Sequence, residues 1–321
     1  MDENAFDLDT FFQTIKKDIE KKIVSTIPDV KIVSILEGGK RLRPLLAHLV
    51  FKTCTRGKET PDQYQKALEG AVGIELVHNA SLVHDDIIEK DKEQIGKPNF
   101  NIENGIDSAI LMVHKMLAVG FSITLKHGEE ITKLYSDTWN EILNGELEEV
   151  NFNNRYIKSK TDELSKSKIF AEYNKNIDMK TACIFSSACK IGAIEANASG
   201  PVLAIYASYG REVGFAYQLA NDLVDLVKGN ILNSMIVPLV ITSDTANIDK
   251  NSIEEKNLRK NFNKNIAQIG ELFISEIKKH VGKAKELSKS DIIPKSEYKD
   301  LLTEAPAAII NKVLKEIGMK I

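Results

Sequence analysis

Between Pro98 and Pro201 the chain contains no proline. Proline removes a backbone donor and clashes with the preceding turn, so its absence over so long a stretch permits long uninterrupted helices. The remaining punctuation is also sparse: 18 Gly and 8 Pro in 321 residues amount to roughly 8%, against about 12% in average usage. Segments 45–53, 67–88, 108–124, 130–152, 181–198, 202–227 and 258–287 lack the strict alternation of half-buried strands and read as helices. Two of them, 67–88 and 202–227, are apolar on more than one face, as helices surrounded by other helices are. Stretches 153–178 and 243–265 are rich in Lys, Asn, Ser and Glu and read as solvated helices or loops. No fixed-period repeat and no Pro/Ser/Gly linker divides the sequence. The expectation is an all-α fold, a single-domain bundle of long helices over 1–321.

Charge and cysteine usage remove several functional classes. The 43 Lys+Arg and 46 Asp+Glu give a formal charge of −3, without the basic excess of a dedicated nucleic-acid binder. Cys54, Cys183 and Cys189 form no CxxC pair, and Cys183 and Cys189 read as small core residues. The acidic start Met1-Asp2-Glu3-Asn4 lacks the order of a signal peptide, and His114 and Lys115 interrupt the most apolar stretch. A cytoplasmic protein without a membrane span is expected.

The chemistry is carried by acids inside apolar helices. In Gly73-Ile-Glu-Leu-Val-His-Asn-Ala-Ser-Leu-Val-His-Asp-Asp-Ile-Ile-Glu89, a helical period places His78, Asp85 and Glu89 on one stripe, with Asp86 beside them and Ile74, Val77, Leu82, Val83 and Ile88 as apolar cover. In Gly214-Phe-Ala-Tyr-Gln-Leu-Ala-Asn-Asp-Leu-Val-Asp225, Gln218, Asp222 and Asp225 share a stripe and Asn221 adjoins it. A lone acidic patch is ordinarily a solvated face, and a pair of carboxylates would serve acid/base chemistry. Two crowded stripes amid Val, Leu and Ile instead call for a cation, and hard oxygen ligands suit Mg²⁺ above all. A third element, Gly38-Gly39-Lys40-Arg41-Leu42-Arg43-Pro44, sets three cations and two glycines before an apolar helix. It reads either as an anion site or as a surface turn with capping charges.

These elements, with Lys180-Thr181-Ala182 between the two acidic stripes and weaker echoes at Asn144-Gly145-Glu146-Leu147 and Leu301-Leu302-Thr303-Glu304-Ala305, resemble in order and spacing the trans-isoprenyl diphosphate synthases. The resemblance implies the isoprenoid synthase type I fold, helices around a central cavity, and condensation of isopentenyl diphosphate with an allylic prenyl diphosphate. It implies Mg²⁺ held by Asp85, Asp86, Glu89, Asn221, Asp222 and Asp225, with Asp85, Asp86, Lys180 and Asp222 carrying catalysis. Thr181 and Gln218, with Lys180, match contacts to the allylic substrate, and Gly39, Lys40, Arg43 and His78 match the isopentenyl diphosphate pocket. The family's habit is dimerisation, as a homodimer or with another synthase subunit.

The chain departs from the family pattern in several places. Glu89 stands for an Asp, Asn221 stands for an Asp, and Gln94 and Ile95 stand for two arginines. Val113-His114 replaces a Gly-Asp, and the segment Asn230 to Pro238 is shorter than the family's lysine-containing loop. Three functions are consistent with this pattern and rank in this order: an active chain-elongating synthase, a weakly active or regulatory subunit of a heteromeric synthase, and a cyclase-like lyase. Small residues at Ala80 and Ser81, ahead of Asp85, point to products of geranylgeranyl length or longer.

Overall fold

The computed structural model of the chain describes residues 7–88, 93–94, 97–158, 166–228 and 255–321. The helices are α1 (Leu8–Thr26), α2 (Val30–Leu36), α3 (Leu42–Thr55), α4 (Pro61–Ile88), α5 (Phe100–Asn104), α6 (Ile106–Thr124), α7 (Glu129–Lys158), α8 (Lys166–Ile177), α9 (Cys183–Glu195), α10 (Gly200–Lys228), α11 (Glu255–Ser288) and α12 (Glu297–Leu314). The extended structure among the described residues is one antiparallel pairing of Glu93–Gln94 with Lys97–Pro98. The all-α expectation holds. The expected helices are present, several of them longer at their ends than the periodicity alone indicated.

Local chemistry starts these helices where they start. Asp7 caps α1 by accepting from the Thr10 amide at 2.8 Å, and Asp29 caps α2 through the Lys31 amide at 2.8 Å. Pro44 and Pro61 lie in the first turns of α3 and α4, where the missing N–H has no intrahelical partner in any case. Buried Leu8, Phe11, Phe12, Ile15, Ile19 and Ile23 form the inward stripe of α1. By contrast α4 is buried around most of its circumference, from Ala67 to Val83.

The described residues divide into two compact units. The first comprises those within 1–140, 184–211 and 284–305, the second those within 141–183, 212–283 and 306–321. In the first, α4 packs along α3 and α6. Gly192 lets α9 approach α3 so closely that a Cβ would lie 1.9 Å from the Ala47 carbonyl oxygen. Residues Ile106–His127 are long and apolar enough to cross a membrane by length and composition. Ala109, Met112, Val113, Met116, Gly120 and Ile123 of α6 are buried, while Ile110, Leu111 and Phe121 are exposed. In the second unit, a single π-helical turn, Asp178–Ala182, follows α8, the form helices often take at functional positions. Here the stretch read as solvated, 153–178, contributes buried Tyr173 and Ile177.

Candidate functional site

In the first unit the loop after α2 turns into α3 through residues that look alike in sequence and behave differently. Gly38 has φ +80°, and Arg41, which precedes α3, is itself left-handed at φ +58°. The Arg41 guanidinium turns inward. Its Nε donates to Glu20 Oε1 at 2.9 Å, its Nη1 to Glu75 Oε1 at 3.0 Å, and its Nη2 to the Leu36 carbonyl. Its side chain is 1% exposed, as is fitting for a fully paired buried charge. A Cβ on Gly39 would lie 2.3 Å from Arg41 Nη1, so glycine is required there to let the guanidinium pass. Of the three cations in this motif, one is therefore structural, and Lys40 and Arg43 flank it. Lys40 is exposed.

Arg43 is buried in the first turn of α3. Its guanidinium carbon lies 4.5 Å over the Phe185 ring, a cation–π contact, and its Nη1 is 2.8 Å from His78 Nε2 on α4. Arginine only donates, so Nε2 accepts and the imidazole proton is assigned to Nδ1. Burial first, then Arg43 and Arg41, hold the His78 pKa well below its usual value, so the ring is neutral. Nδ1 is buried and meets no hydrogen-bond partner among the described residues. The pair thus sets a charged guanidinium against a neutral imidazole. Asp85 and Asp86 close the same helix; Asp86 is 9% exposed, and its carbonyl accepts from the Asn101 amide at 3.2 Å. Glu89, Ile95, Gly229 and the segment 230–238 lie outside the described residues, as does the side chain of Gln94.

In the second unit several of the expected residues are bonded in two groups, one around Lys180 and one around Asp222. Gly145 on α7 leaves room for the π turn: a Cβ there would lie 2.8 Å from Lys180 Cγ. Asn176 pins the same point by donating to the Gly145 carbonyl at 3.1 Å. Lys180 Nζ lies 2.7 Å from Glu149 Oε2 and 2.9 Å from Glu146 Oε1, a partly buried three-charge cluster. Thr181 Oγ1 donates to Gln218 Oε1 at 2.9 Å, and Gln218 Nε2 donates to Asp222 Oδ1 at 2.8 Å. The Tyr173 hydroxyl donates to Asp222 Oδ2.

Burial pushes the Asp222 carboxyl up to about 6, opposed by the Tyr173 and Gln218 hydrogen bonds and helped by the charges of Asp225 and Glu149. Burial and Asp222 hold the Tyr173 phenol far above its usual value, so it stays a donor. The donors are oxygens throughout, as a hard cation requires. Among the described residues no three His, Cys, Asp or Glu side chains group as a metal nest. The first motif brings Asp85 and Asp86 to such a count and the second Asp222 and Asp225; Glu89 is undescribed and Asn221 is neutral.

Tyr173 and Glu149 were not singled out in the sequence. Tyr173 sits in a polar stretch with weak periodicity, and its only sequence signal is a helical spacing two turns ahead of Lys180. Of the histidines without an evident role, His127 pairs with Glu195 at 2.6 Å, His280 pairs with Glu212 at 2.5 Å and stacks on Phe215, and His84 packs against Trp139. Cys183 and Cys189 are buried, as small core residues should be.

The fold is that of the isoprenoid synthases of type I. A solved geranylgeranyl pyrophosphate synthase superposes with a TM-score of 0.77 at 22% identity, over 96% of this chain and 99% of that one. A decaprenyl diphosphate synthase from Rhodobacter capsulatus superposes at 0.76 with 20% identity, over 95% and 99%. The family model described as Polyprenyl synthetase matches residues 29–231, and the chain belongs to that family. A geranylgeranyl diphosphate synthase from Methanosarcina mazei is 31% identical over 195 residues, which is 59% of this chain and 55% of that protein. A short chain isoprenyl diphosphate synthase from Methanocaldococcus jannaschii is 27% identical over 198 residues, again 55% of its length. The matched stretch therefore spans little more than half of these curated relatives.

Proposed function

We propose that the chain is a Mg²⁺-dependent trans-prenyltransferase that joins isopentenyl diphosphate to an allylic prenyl diphosphate, giving a trans-polyprenyl diphosphate of geranylgeranyl length or longer. The observation that carries this reading is the charge balance around Lys180. Lys180 lies between the Glu146 and Glu149 carboxylates, and burial, with the charges of Asp225 and Glu149, raises the Asp222 carboxyl to about 6. A protein has little reason to keep such acids unless a cation completes them.

In this reading Asp85, Asp86 and Glu89 of the first motif and Asn221, Asp222 and Asp225 of the second hold Mg²⁺. The ion supplies the positive charge that makes diphosphate a competent leaving group. Lys180 adds a fixed cation where charge develops on the departing oxygen, and Thr181 and Gln218 orient the same end. Arg43, with Lys40 beside Gly39, grips the diphosphate of the isopentenyl substrate, and His78 holds the Arg43 guanidinium in place through Nε2. The allylic carbon–oxygen bond breaks with its electron pair leaving on diphosphate. The isopentenyl double bond attacks the allylic carbon, and the resulting cation loses a proton to an oxygen of the released diphosphate, restoring a double bond. No protein nucleophile is required.

The proposal extends to a single domain over 1–321, supported by superpositions covering 96% of the chain. It also extends to a cytoplasmic protein without a membrane span that binds no nucleic acid and pairs as a homodimer or with another synthase subunit. The exposed apolar residues Ile110, Leu111 and Phe121 on α6 support a pairing surface. Gln94 and Ile95 in place of arginines favour a second reading, a weakly active or regulatory subunit. Incubating the pure chain with Mg²⁺, farnesyl diphosphate and labelled isopentenyl diphosphate separates the two. Elongation by the chain alone is expected, and elongation only with an added synthase selects the subunit reading. A hydrocarbon or alcohol from farnesyl diphosphate alone would select the cyclase-like lyase. Asp85→Ala is expected to lower kcat by about a hundredfold or more; undiminished turnover would remove the metal assignment.

A further inference from the structure

We propose that Tyr173 is a positioning residue for the second acidic motif: its hydroxyl fixes the Asp222 carboxylate so that the oxygens face a divalent cation, an inference that rests on the prenyltransferase reading above. Tyr173 lies on α8 with its ring 6.4 Å from both Phe170 and Phe273, and it is buried. Rings so packed leave the hydroxyl little choice of direction. It donates to Asp222 Oδ2, while Gln218 Nε2 takes Oδ1 at 2.8 Å. Thr181 holds Gln218 in turn, fixing which end of the amide faces Asp222. Each carboxylate oxygen is engaged by one neutral donor, which sets the plane of the group and leaves further lone pairs for a cation.

Neutral donors matter here. An ammonium or guanidinium at either oxygen would cancel the charge that a divalent ion needs, whereas a phenol and an amide orient the group without cancelling it. Two other buried tyrosines satisfy their hydroxyls on backbone carbonyls. Tyr209 donates to Leu302 at 2.7 Å and Tyr135 to Leu117 at 2.9 Å. That is the ordinary packing solution. Tyr173 instead spends its donor on a carboxylate of the acidic motif. Partners that orient a metal-binding group in this way are typically worth about 10–100-fold in metal affinity.

The test uses the full chain, Mn²⁺ as a paramagnetic replacement for Mg²⁺, and inorganic pyrophosphate, with free Mn²⁺ read by electron paramagnetic resonance. Tyr173→Phe removes only the hydroxyl and is expected to weaken Mn²⁺ binding about tenfold or more. Tyr209→Phe removes a comparable buried hydrogen bond and is expected to lower thermal stability without weakening Mn²⁺ binding. Equal Mn²⁺ affinity in Tyr173→Phe and the parent chain, or equal losses in the two variants, overturns the proposal. If the parent chain binds no Mn²⁺ with pyrophosphate, the prenyltransferase reading falls and this inference with it. Where Tyr173→Phe does not fold, 3-fluorotyrosine placed at position 173 keeps size and hydroxyl. Its fluorine resonance should move when Mg²⁺ and pyrophosphate are added, and an unmoved resonance counts against the role.

Discussion

Arg41→Met should lower the unfolding free energy by about 3–5 kcal/mol, because it strands a carboxylate that meets no other cation among the described residues. Glu75 lies in the middle of α4 with its side chain 3% exposed, and Arg41 Nη1 reaches its Oε1 at 3.0 Å. The other carboxylate partner, Glu20, is 41% exposed and can return to water, so the loss concentrates at Glu75. At about 2.1 cal/mol/K per residue, a loss of this size moves the melting temperature by on the order of 5 °C. One further measurement separates this cause from general loosening. Removing both charges, in Arg41→Met with Glu75→Met, should recover most of the stability, since the cost is the unpaired ion rather than the lost pair. A double variant no more stable than Arg41→Met would contradict this account.

That Arg41 has this role was not legible in the motif that contains it. Lys40, Arg41 and Arg43 stand together in a glycine-rich turn, and local sequence gives no reason to send one inward and leave its neighbours for an anion. The deciding residue is Glu75, remote in sequence and hidden in an apolar helix. Only the packing of α4 against α3 and α1 brings the two together. Seven of the helices were legible, because their signals are local, scarce prolines and apolar periodicity; α1, α2 and α12 were not among them. Helix α4 could be read as buried on several sides from composition alone.

The candidate site divides in the same way. Gln218 and Asp222 share a helical stripe, and their contact follows from a four-residue spacing. The link from Thr181 to Gln218 and the bond from Tyr173 to Asp222 join separate helices and follow from nothing in the spacing. Lys180 shows the limit most clearly. Its resemblance to a diphosphate contact suggests a free cation, whereas in the fold it lies between Glu146 and Glu149. Glu146 stood out as a weak echo and Glu149 did not. On the proposed reading, an incoming diphosphate would have to compete with two carboxylates for the same ammonium group, which would tie anion binding there to the cation that neutralises the acids.

The chain should also lose stability in mild acid, through a histidine remote in function from the site. His48 on α3 is 1% exposed, and neither ring nitrogen has a hydrogen-bond partner among the described residues. It packs against Phe51 and edge-on to Tyr64, with ring centroids 5.4 and 4.7 Å away. Burial, aided by the charge of Lys52 and weakly opposed by Glu59, lowers its pKa to about 3. The folded state thus keeps the ring neutral where the unfolded chain, titrating near 6.5, takes up a proton. Between those values the unfolded state binds more protons, so stability falls as pH drops below 6.5 and the loss is complete only near 3. The contribution is about 2 kcal/mol at pH 5 and about 3 kcal/mol at pH 4. His78 and His84 are lowered by burial in the same sense, so the parent curve alone does not isolate His48. Comparison with His48→Leu does, since leucine fills a similar volume without buried polar atoms. The variant should match or exceed the parent at pH 7.5, and its advantage in denaturant unfolding should grow by about 2 kcal/mol between pH 7.5 and pH 5. An advantage that stays constant over that interval would mean that His48 finds a proton acceptor inside the fold and that its burial carries no acid penalty.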